Sequence, residues 1–498
     1  MNRRHFFTGS LAAAVTASLP ASAYAQLLHS MTTVSSSIVG NTGDGAEVEI
    51  EQAAVEELKG ALRGRLLLPG SDGYDVARRV LNPSIDRFPA LIVQPSGAAD
   101  VQNAVTFARE RGLLLAVKCG GHSFSGKSTC DGGLQIDLSS MRHVRIDRGA
   151  QTAHVAGGCL LGELDHEAMA HGLVTTAGTV SHTGVGGLTL GGGFGRLARK
   201  HGLALDNVRS VDIVTADGQL RHASADENPD LYWGVRGGGG NFGVVTSFEF
   251  QLHPMDRTVI AGDVVLPIER AKEFMRFYAD YSREAPDELS LDFIMPSAPG
   301  QPGVAIIHAV WSGDPRQADR VLAPLNRIAN PIANTIGAKD YVALQRTWDN
   351  SDPRQGGDYL KSGFVYDIDD RQIDAIIDGF EPHPDRATNF FFQASGGAIG
   401  RVPVDATAFP SRAAINAPTV VVSWNKGVDP DPHIAYIREY WATIEPFTRG
   451  FYINVEELSA GDSLVSNFEK NYERLVSVKN EYDPTNLFRL NSNIKPTV

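Results

Sequence analysis

Hydrophobic side chains from residue 90 onward alternate between short continuous runs and helical stripes. Residues 90–93 and 113–117 are continuous apolar runs, which are typical of buried strands. The residues between them carry apolar side chains at helical spacing, at Val101, Ala104, Val105 and Ala108. The pattern therefore predicts a strand, a helix over residues 98–109 and a second strand.

The same patterns predict further elements along the chain, with strands at residues 134–138, 151–155 and 244–250 and a helix at residues 161–170. Past His253, strands and helices alternate and aromatic residues accumulate, which predicts a second domain built on a large sheet. We expect an export signal at residues 1–25 and an N-terminal segment at residues 26–81. A first domain at residues 82–255 and a second domain at residues 256–440 follow, and a C-terminal segment at residues 441–498 returns to the first domain.

Composition narrows the classes of function. The chain has 498 residues, a formal net charge of −13 and a pI near 5.5. This balance argues against nucleic-acid and anionic-membrane partners, because phosphate groups require clustered Lys and Arg. The three cysteines are too few and too unevenly spaced for a disulfide scaffold or a C-x-x-C zinc site. We expect buried thiols, with room for one disulfide, and no metal site.

The first 25 residues have the layout of a cleavable export signal. Arg3 and Arg4 precede an apolar run at residues 11–19, and small residues follow up to Ala25. The arginine pair is similar to that of twin-arginine signals, whereas an ordinary secretory signal with a chance arginine pair is the alternative. The run is too short to span a bilayer, and no other stretch predicts membrane insertion. The expected location is therefore periplasmic or secreted.

The loop after the second strand contains the letters of a nucleotide-binding P-loop. From Gly121 to Ser128 the sequence reads G-x-x-x-x-G-K-S. A P-loop requires a helix directly after it, because the helix N-terminus holds the phosphates. Here a predicted strand follows instead, so a P-loop hydrolase is the last of the alternatives. A literal G-x-G-x-x-G at residues 238–243 likewise opens a strand and does not predict a Rossmann fold.

Glycine is concentrated in residues 176–195 and again in residues 237–243. Such density costs stability through backbone entropy, which indicates that another group approaches the backbone closely there. Backbone amides that glycines expose also form anion-binding nests without a helix. A dinucleotide cofactor with a pyrophosphate is therefore the simplest ligand to expect.

Four motifs carry a resemblance to a known family. They are Gly120-Gly-His-Ser123, the glycine-rich residues 178–195, the segment Asp230-Leu-Tyr-Trp-Gly-Val-Arg-Gly-Gly-Gly-Gly-Asn-Phe-Gly243 and the ending Tyr482-Asp-Pro-Thr-Asn-Leu-Phe-Arg489. In this order they resemble the berberine bridge enzyme group of FAD-linked oxidases, in the vanillyl-alcohol oxidase (PCMH-type) superfamily. The resemblance implies an α+β fold of two domains. One would bind FAD, and the other would be a substrate domain built on a large antiparallel sheet covered by helices.

The resemblance also implies how FAD is held. In that family the histidine of the G-G-H-S motif is bonded to the 8α methyl group of the flavin, and the matching residue is His122. The other groups expected around FAD are Gly120, Gly121, Ser123, Gly178, Thr179, His182, Thr183, Gly184, Gly187, Gly192, Gly243, Val245, Asn491 and Asn493. For His182, which stands beside the glycine run, a substrate contact and a purely structural histidine are the alternatives.

Three departures from the family pattern change these expectations. Val180 stands where many members carry a cysteine that forms a second flavin bond, so one covalent bond is expected rather than two. Thr183 aligns with the residue that controls oxygen access to the flavin, and its volume, close to that of valine, favours an oxidase. Arg401 stands where alkaloid-oxidising members carry a glutamate base, and it either binds an anionic group of the substrate or forms a surface ion pair.

The group that accepts the substrate proton must therefore come from elsewhere. Residues 451–456 alternate, which predicts a strand with Tyr452, Asn454 and Glu456 on one face. Tyr452 is the first catalytic candidate, either as a tyrosinate whose pKa burial lowers or with Asn454 as a substrate ligand. Tyr366 in the sheet domain is the second candidate. A core tyrosine with a satisfied hydroxyl is the structural alternative for Tyr452.

The resulting expectation is an exported oxidase that transfers a hydride from a small-molecule alcohol or amine to flavin N5. Reoxidation by O2 would then give H2O2. A dehydrogenase that passes electrons to a quinone or haem partner is the first alternative. A flavin- or sugar-binding protein without turnover is the alternative of another class.

Overall fold

The computed structural model describes residues 37–349, 356–455 and 462–498. The predicted export signal lies outside the described residues, as does Glu456. The strands of the first domain are, in chain order, β1 (Ile38–Asn41), β2 (Glu47–Ile50), β3 (Arg65–Leu67), β4 (Leu91–Gln94), β5 (Leu115–Lys118), β6 (Leu134–Asp137), β7 (Val144–Asp147), β8 (Thr152–Ala156), β9 (Leu173–Val174), β10 (Val208–Val214), β11 (Leu220–Ser224), β12 (Val244–Gln251) and β13 (His253–Pro254).

The helices of the first domain are α1 (Gln52–Ala61), α2 (Tyr74–Ala77), α3 (Ala98–Glu110), α4 (Leu161–Met169), α5 (Val185–Gly191), α6 (Ala198–His201) and α7 (Pro229–Val235). The predicted strand, helix and strand are β4, α3 and β5, with bounds shifted by one or two residues. The predicted helix at residues 161–170 is α4, and Gly172 behind it has a φ of 69°, a conformation that favours glycine.

Two sheets form the core of the first domain. The smaller has the strand order β3-β4-β6-β5, in which β4, β6 and β5 run parallel and β3 is antiparallel to β4. The larger is antiparallel, with the order β11-β10-β12-β8-β7. Helix α3 buries Val101, Val105 and Ala108 in the core that both sheets share. The chain passes from β5 to β6 without a helix, so the requirement of a P-loop is not met.

A short helix, α5, lies inside the glycine-rich run where the sequence predicted only close backbone approach. Its sequence is Val-Gly-Gly-Leu-Thr-Leu-Gly. Each glycine disfavours a helix by about 1 kcal/mol relative to alanine, so local propensity does not predict it. Packing favours glycine instead, because a Cβ at Gly186 would lie 3.2 Å from the carbonyl oxygen of Gly157, which is closer than most Cβ contacts. Tertiary contact therefore overrides propensity here.

The second domain contains the strands β14 (Thr258–Pro267), β15 (Leu289–Ser297), β16 (Val304–Trp311), β17 (Ala333–Asn334), β18 (Gly337–Asp340), β19 (Gly356–Ser362), β20 (Arg386–Ala394) and β21 (Asn416–Asn425). Its helices are α8 (Ala271–Glu284), α9 (Ala318–Asn326), α10 (Tyr341–Gln345), α11 (Asp370–Gly379), α12 (Ala398–Arg401) and α13 (Asp431–Ile444). The C-terminal segment adds α14 (Asp462–Phe468) and α15 (Tyr472–Tyr482).

The strands of the second domain form one antiparallel sheet in the order β17-β14-β16-β15-β20-β21-β19, with β18 also paired to β14. Helices α8, α11 and α13 cover one face, where Phe274, Ile376 and Ile437 pack against the sheet. The other face turns toward the first domain. The predicted α+β fold, with a large antiparallel sheet covered by helices, is confirmed.

The C-terminal segment is attached to the first domain by a buried ion pair. The Lys479 ammonium of α15 lies 2.6 Å from the Asp483 carboxylate, and both side chains are fully buried. Lys479 also donates to the carbonyl oxygens of Asn241 and Phe488, at 2.8 and 3.0 Å. Charge and hydrogen-bonding capacity are therefore satisfied together, as a buried ion pair requires. This arrangement accounts physically for the aspartate of the C-terminal motif.

Two sequence expectations are corrected at this level. Residues 451–455 form a turn rather than a strand, so the predicted alternation of side chains does not apply there. Cys119, Cys130 and Cys159 are free thiols, and the disulfide left open by the sequence is not formed.

Over the part of the chain that the structure describes, no helix is both long and apolar enough to cross a membrane.

Candidate functional site

A cavity of about 450 Å³ lies between the glycine-rich loops of the first domain, the open face of the sheet and the C-terminal segment. This volume falls within the range of about 300–1,000 Å³ that is usual for cofactor and ligand sites. On β20, Phe390 and Phe392 point into the core of the second domain, whereas Phe391 and Gln393 alternate with them and line the cavity. Both domains therefore contribute to one site.

His122 stands in the cavity wall beside two polar groups of the facing loop. Its Nε2 lies 2.6 Å from Nδ1 of His182, and its Nδ1 lies 3.3 Å from the Thr183 hydroxyl. All three residues line the cavity. Because each ring nitrogen of His122 has a hydrogen-bonding neighbour, these contacts hold the orientation of the ring.

The two loops meet by direct contact of their backbones. A Cβ at Gly120 would lie 2.3 Å from the Gly184 amide nitrogen, and a Cβ at Gly184 would lie 2.4 Å from the Gly120 amide nitrogen. No side chain fits at either position without separating the loops, since real Cβ atoms do not approach backbone so closely. Glycine at both positions is therefore a requirement for bringing His122 against His182 and Thr183.

The second domain supports the 178–183 loop from behind. The Gln345 side chain of α10 donates to the Gly178 carbonyl oxygen at 2.9 Å and accepts from the buried Arg196 guanidinium at 2.7 Å. Asp349 accepts bonds from the backbone amide and the hydroxyl of Ser181, at 2.9 and 2.6 Å. Gln345 also donates to Asp165, whose pKa burial raises to about 7. The loop that faces His122 is thus held by both domains.

Tyr452 and Asn454 lie together on the turn at residues 451–455. The Tyr452 hydroxyl accepts bonds from the Gly193 amide and the Asn454 amide group, each at 2.9 Å. Asn454 also donates to the Leu188 carbonyl oxygen at 2.8 Å. Burial raises the pKa of Tyr452, the opposite of the predicted effect, because removal from water disfavours the tyrosinate. Tyr452 is therefore a neutral phenol at neutral pH.

The structure brings most of the predicted cofactor residues together. Those that line the cavity are Gly120, Gly121, His122, Ser123, Gly178, Thr179, His182, Thr183, Gly184, Gly187, Gly243, Val245 and Asn491, together with the catalytic candidates Tyr452 and Asn454. Gly192 and Asn493 do not line it. Val180, which replaces the family cysteine, does line it.

Tyr366 and Arg401 lie apart from this cavity. Tyr366 lines a different cleft, where the Arg449 guanidinium is 5.2 Å from its ring centroid. An aromatic cluster of Phe194, Phe364, Phe409 and Tyr452 packs between the domains, with Phe194 and Tyr452 edge to face at 5.2 Å. Arg401 forms a surface ion pair with Asp287, which was one of the two alternatives predicted for it.

Several cavity residues were not predicted from the sequence. Trp348, Phe391 and Gln393 come from the second domain. Lys127 comes from residues 121–128, which match the P-loop pattern in sequence only. The alternation of β20 could have identified the face that carries Phe391 and Gln393, but not which domain this face meets. Among the described residues, no group of three or more His, Cys, Asp or Glu side chains is arranged to hold a metal.

The cavity residues fit a dinucleotide. Glycine loops offer backbone amides on one wall, and Gly120 and Gly184 there leave no room for a Cβ. The Ser128 hydroxyl, also in the wall, is buried and has no hydrogen-bond partner among the described residues, as expected of a group that binds a polar ligand. None of the described lining residues is Asp or Glu, so none of them repels an anionic pyrophosphate.

Comparison with known proteins agrees with this geometry. Residues 89–224 match the FAD binding domain family, and residues 451–495 match the family described as berberine and berberine like. The chain is 33% identical over 455 residues to an FAD-linked oxidoreductase of Dictyostelium discoideum, and the match covers 89% of this chain and 97% of that protein.

Two further relatives differ in what they oxidise. The chain is 30% identical over 469 residues to the (R)-6-hydroxynicotine oxidase of Paenarthrobacter nicotinovorans, with 88% of this chain and 97% of that protein covered. It superposes with a TM-score of 0.80 on a carbohydrate oxidase from Microdochium nivale crystallised with a substrate analogue. The identity there is 25%, and 89% of this chain and 100% of that chain are covered.

Gly184→Ala tests the contact of the two loops. The new Cβ would force the loops apart and move Thr183 away from His122, at a cost of about 1–3 kcal/mol for overpacking. We expect the variant to fold but to retain about a tenth or less of the wild-type FAD per polypeptide, measured by the flavin absorbance of the purified protein. Gly60→Ala, in α1 with nothing within 4 Å of its Cβ position, is the control and should bind FAD normally. Equal flavin content in both variants would contradict the proposed requirement.

Proposed function

Because this chain belongs to the FAD-linked oxidoreductases of the berberine-bridge-like family, we propose that it is an exported oxidase with FAD attached to His122. The proposed reaction is oxidation of an alcohol or amine at a C–H bond, with O2 as the electron acceptor. The observation that carries the proposal is the position of His122 in the cavity wall, 2.6 Å from His182 and between two glycine loops in backbone contact.

The proposed bond to FAD requires a histidine nitrogen that is free of its proton. His182, 2.6 Å from Nε2 of His122, is the group that can accept that proton, and the Thr183 hydroxyl, 3.3 Å from Nδ1, can hydrogen-bond to the ring. Val180 supplies no thiol for a second bond. Burial raises the pKa of Cys119 to about 11, so its thiol is a poor nucleophile. These features support a single covalent attachment.

FAD would supply the hydride acceptor at flavin N5. The chain would supply the orientation of the substrate, chiefly through Tyr452 and Asn454 on their turn. Since the Tyr452 hydroxyl already accepts two hydrogen bonds, the proton it retains is the one it can offer. We therefore assign Tyr452 as a hydrogen-bond donor that holds the substrate oxygen or nitrogen, rather than as the base.

The second domain supplies the rest of the substrate contacts. Trp348 and Phe391 offer aromatic surface to an apolar part of the substrate, and Gln393 offers an amide to a polar part. An alcohol or amine with both parts suits this wall. The relatives named as nicotine and carbohydrate oxidases support a small-molecule substrate of this broad class.

Oxygen as acceptor is supported by Thr183, which lines the cavity and is close to valine in volume. Production of one H2O2 for each substrate oxidised in air would agree with this assignment. Reduction of a quinone in preference to O2 would instead identify a dehydrogenase. A flavin that no substrate bleaches under argon would identify a binding protein.

Export by a twin-arginine signal is the proposed localisation. Changing Arg3 and Arg4 together to lysine should retain the protein, with its flavin, in the cytoplasm, because the export machinery recognises the arginine pair. Fractionation of cells that make the wild type or the double variant measures this. Unchanged export of the double variant would point to an ordinary secretory signal.

His122→Ala tests the attachment. After denaturation in acid, we expect yellow colour and flavin fluorescence to remain with the wild-type polypeptide and to wash out of the variant. His166→Ala, at an exposed position on α4, is the matched control and should retain flavin. Flavin lost from the wild type on denaturation would show that the cofactor is not covalently bound.

Tyr452→Phe tests the role of the hydroxyl. The change removes the hydrogen bond that the hydroxyl would donate to the substrate, which is worth about 1–3 kcal/mol, so kcat/KM should fall about tenfold to a hundredfold. Because burial raises the pKa of Tyr452, the phenol stays protonated up to about pH 10, and the pH profile below that should keep its shape. A basic group that disappears from the profile of the variant would instead identify Tyr452 as the base.

A further inference from the structure

The loop of residues 178–183, which faces His122, is connected to the first domain through the start of α4. The Leu161 amide donates to the Thr183 carbonyl oxygen at 2.9 Å. The next amide of α4, that of Gly162, donates to the Ser181 carbonyl oxygen at 2.8 Å. Both bonds stay within the first domain, so this domain forms the loop by its own backbone contacts.

The second domain adds three hydrogen bonds to the same loop. Gln345 donates to the Gly178 carbonyl oxygen at 2.9 Å. Asp349 accepts from the amide and the hydroxyl of Ser181, at 2.9 and 2.6 Å. Ser181 directly precedes His182, so these bonds act next to the ring that contacts the proposed attachment residue. Gln345 is buried, and a hydrogen bond away from water is electrostatically stronger than one in water.

Gln345 and Asp349 are carried by the sheet of the second domain. Asp340, the last residue of β18, pairs in register with Thr258 of β14. Its carboxylate also caps α10 by accepting from the Ala343 amide at 2.9 Å. Gln345 is the last residue of α10, and Asp349 follows four residues later. The two side chains therefore reach the 178–183 loop only when the sheet lies against the first domain.

We propose that Gln345 and Asp349 are positioning residues for the attachment of FAD to His122, so that the covalent bond forms only after the two domains have docked. The inference rests on the proposed function, in which His182, 2.6 Å from His122, accepts the histidine proton. A displacement of about 1 Å between reacting groups can slow a reaction about a hundredfold. Covalent flavin then marks molecules whose domains are assembled.

The attachment step releases two protons and two electrons. The new bond joins a nitrogen of His122 to the 8α carbon of FAD, while the N–H bond of that nitrogen and one C–H bond of the methyl group break. His182 takes the proton from His122, and the methyl proton passes to solvent. The electron pair passes through the flavin ring to O2, the acceptor of the proposed function, and with two protons gives H2O2.

Gln345→Met and Asp349→Ala are compared with the wild type. Methionine has about the length of glutamine but cannot donate to the Gly178 carbonyl oxygen. Lys200→Met is the matched control, because Lys200 of the first domain donates to the Ser312 carbonyl oxygen of the second, away from the loop. Apoproteins from cells starved of riboflavin are incubated with FAD in air at several concentrations. The flavin that stays with the polypeptide in acid is measured over time.

We expect Gln345→Met and Asp349→Ala to attach flavin about tenfold or more slowly at saturating FAD, with the FAD concentration for half-maximal rate unchanged. Lys200→Met should attach flavin at the wild-type rate. Asp349 has a side chain that is 21% exposed, so its replacement by alanine keeps the test available if Gln345→Met fails to fold. A raised half-maximal concentration with an unchanged saturated rate would show a role in binding FAD and would overturn the inference.

A wild-type rate at saturating FAD in either loop variant would overturn the inference while leaving the proposed function intact. An equal loss of rate in Lys200→Met would show that attachment follows the strength of the domain interface rather than the position of the loop, and would also overturn it. A wild-type protein that keeps no flavin in acid would overturn the proposed attachment and this inference together.

Discussion

The site depends on the contact between Gly120 and Gly184, whose backbones approach more closely than any side chain allows. This contact joins a loop that follows the parallel sheet to a loop that precedes α5, and it places His122 against His182 and Thr183. The glycine content of both segments, which costs backbone entropy, is explained by this one constraint. The same glycines expose the amides that an anionic cofactor requires.

The cavity exists because three parts of the chain close around these loops. Gln345 and Asp349 of the second domain hold the 178–183 loop by hydrogen bonds. The buried Lys479–Asp483 pair fastens the C-terminal segment to the first domain. Residues from all three parts therefore line one cavity, so a cofactor held by the loops of the first domain would face side chains from the sheet of the second.

Much of the fold, and the loops of the candidate site in the first domain, could be predicted from the sequence. Apolar runs located β4, α3 and β5 within one or two residues, and the four motifs identified the family and the loop of His122. Helix α5 was missed because packing overrides the poor helix propensity of glycine. The turn of Tyr452 was taken for a strand because alternation over only six residues, 451–456, fits both. Lys127, Phe391 and Gln393 depend on how the domains meet, which local patterns do not encode.

The central claim is that His122, and no other side chain, carries the flavin. Digestion of the denatured protein with trypsin should release a short peptide, residues 119–127, because Lys118 and Lys127 flank it. We predict that mass spectrometry finds FAD on this peptide, with fragment ions that locate it at His122. Flavin on the separate peptide that contains His182, or no peptide that carries flavin, would contradict the account.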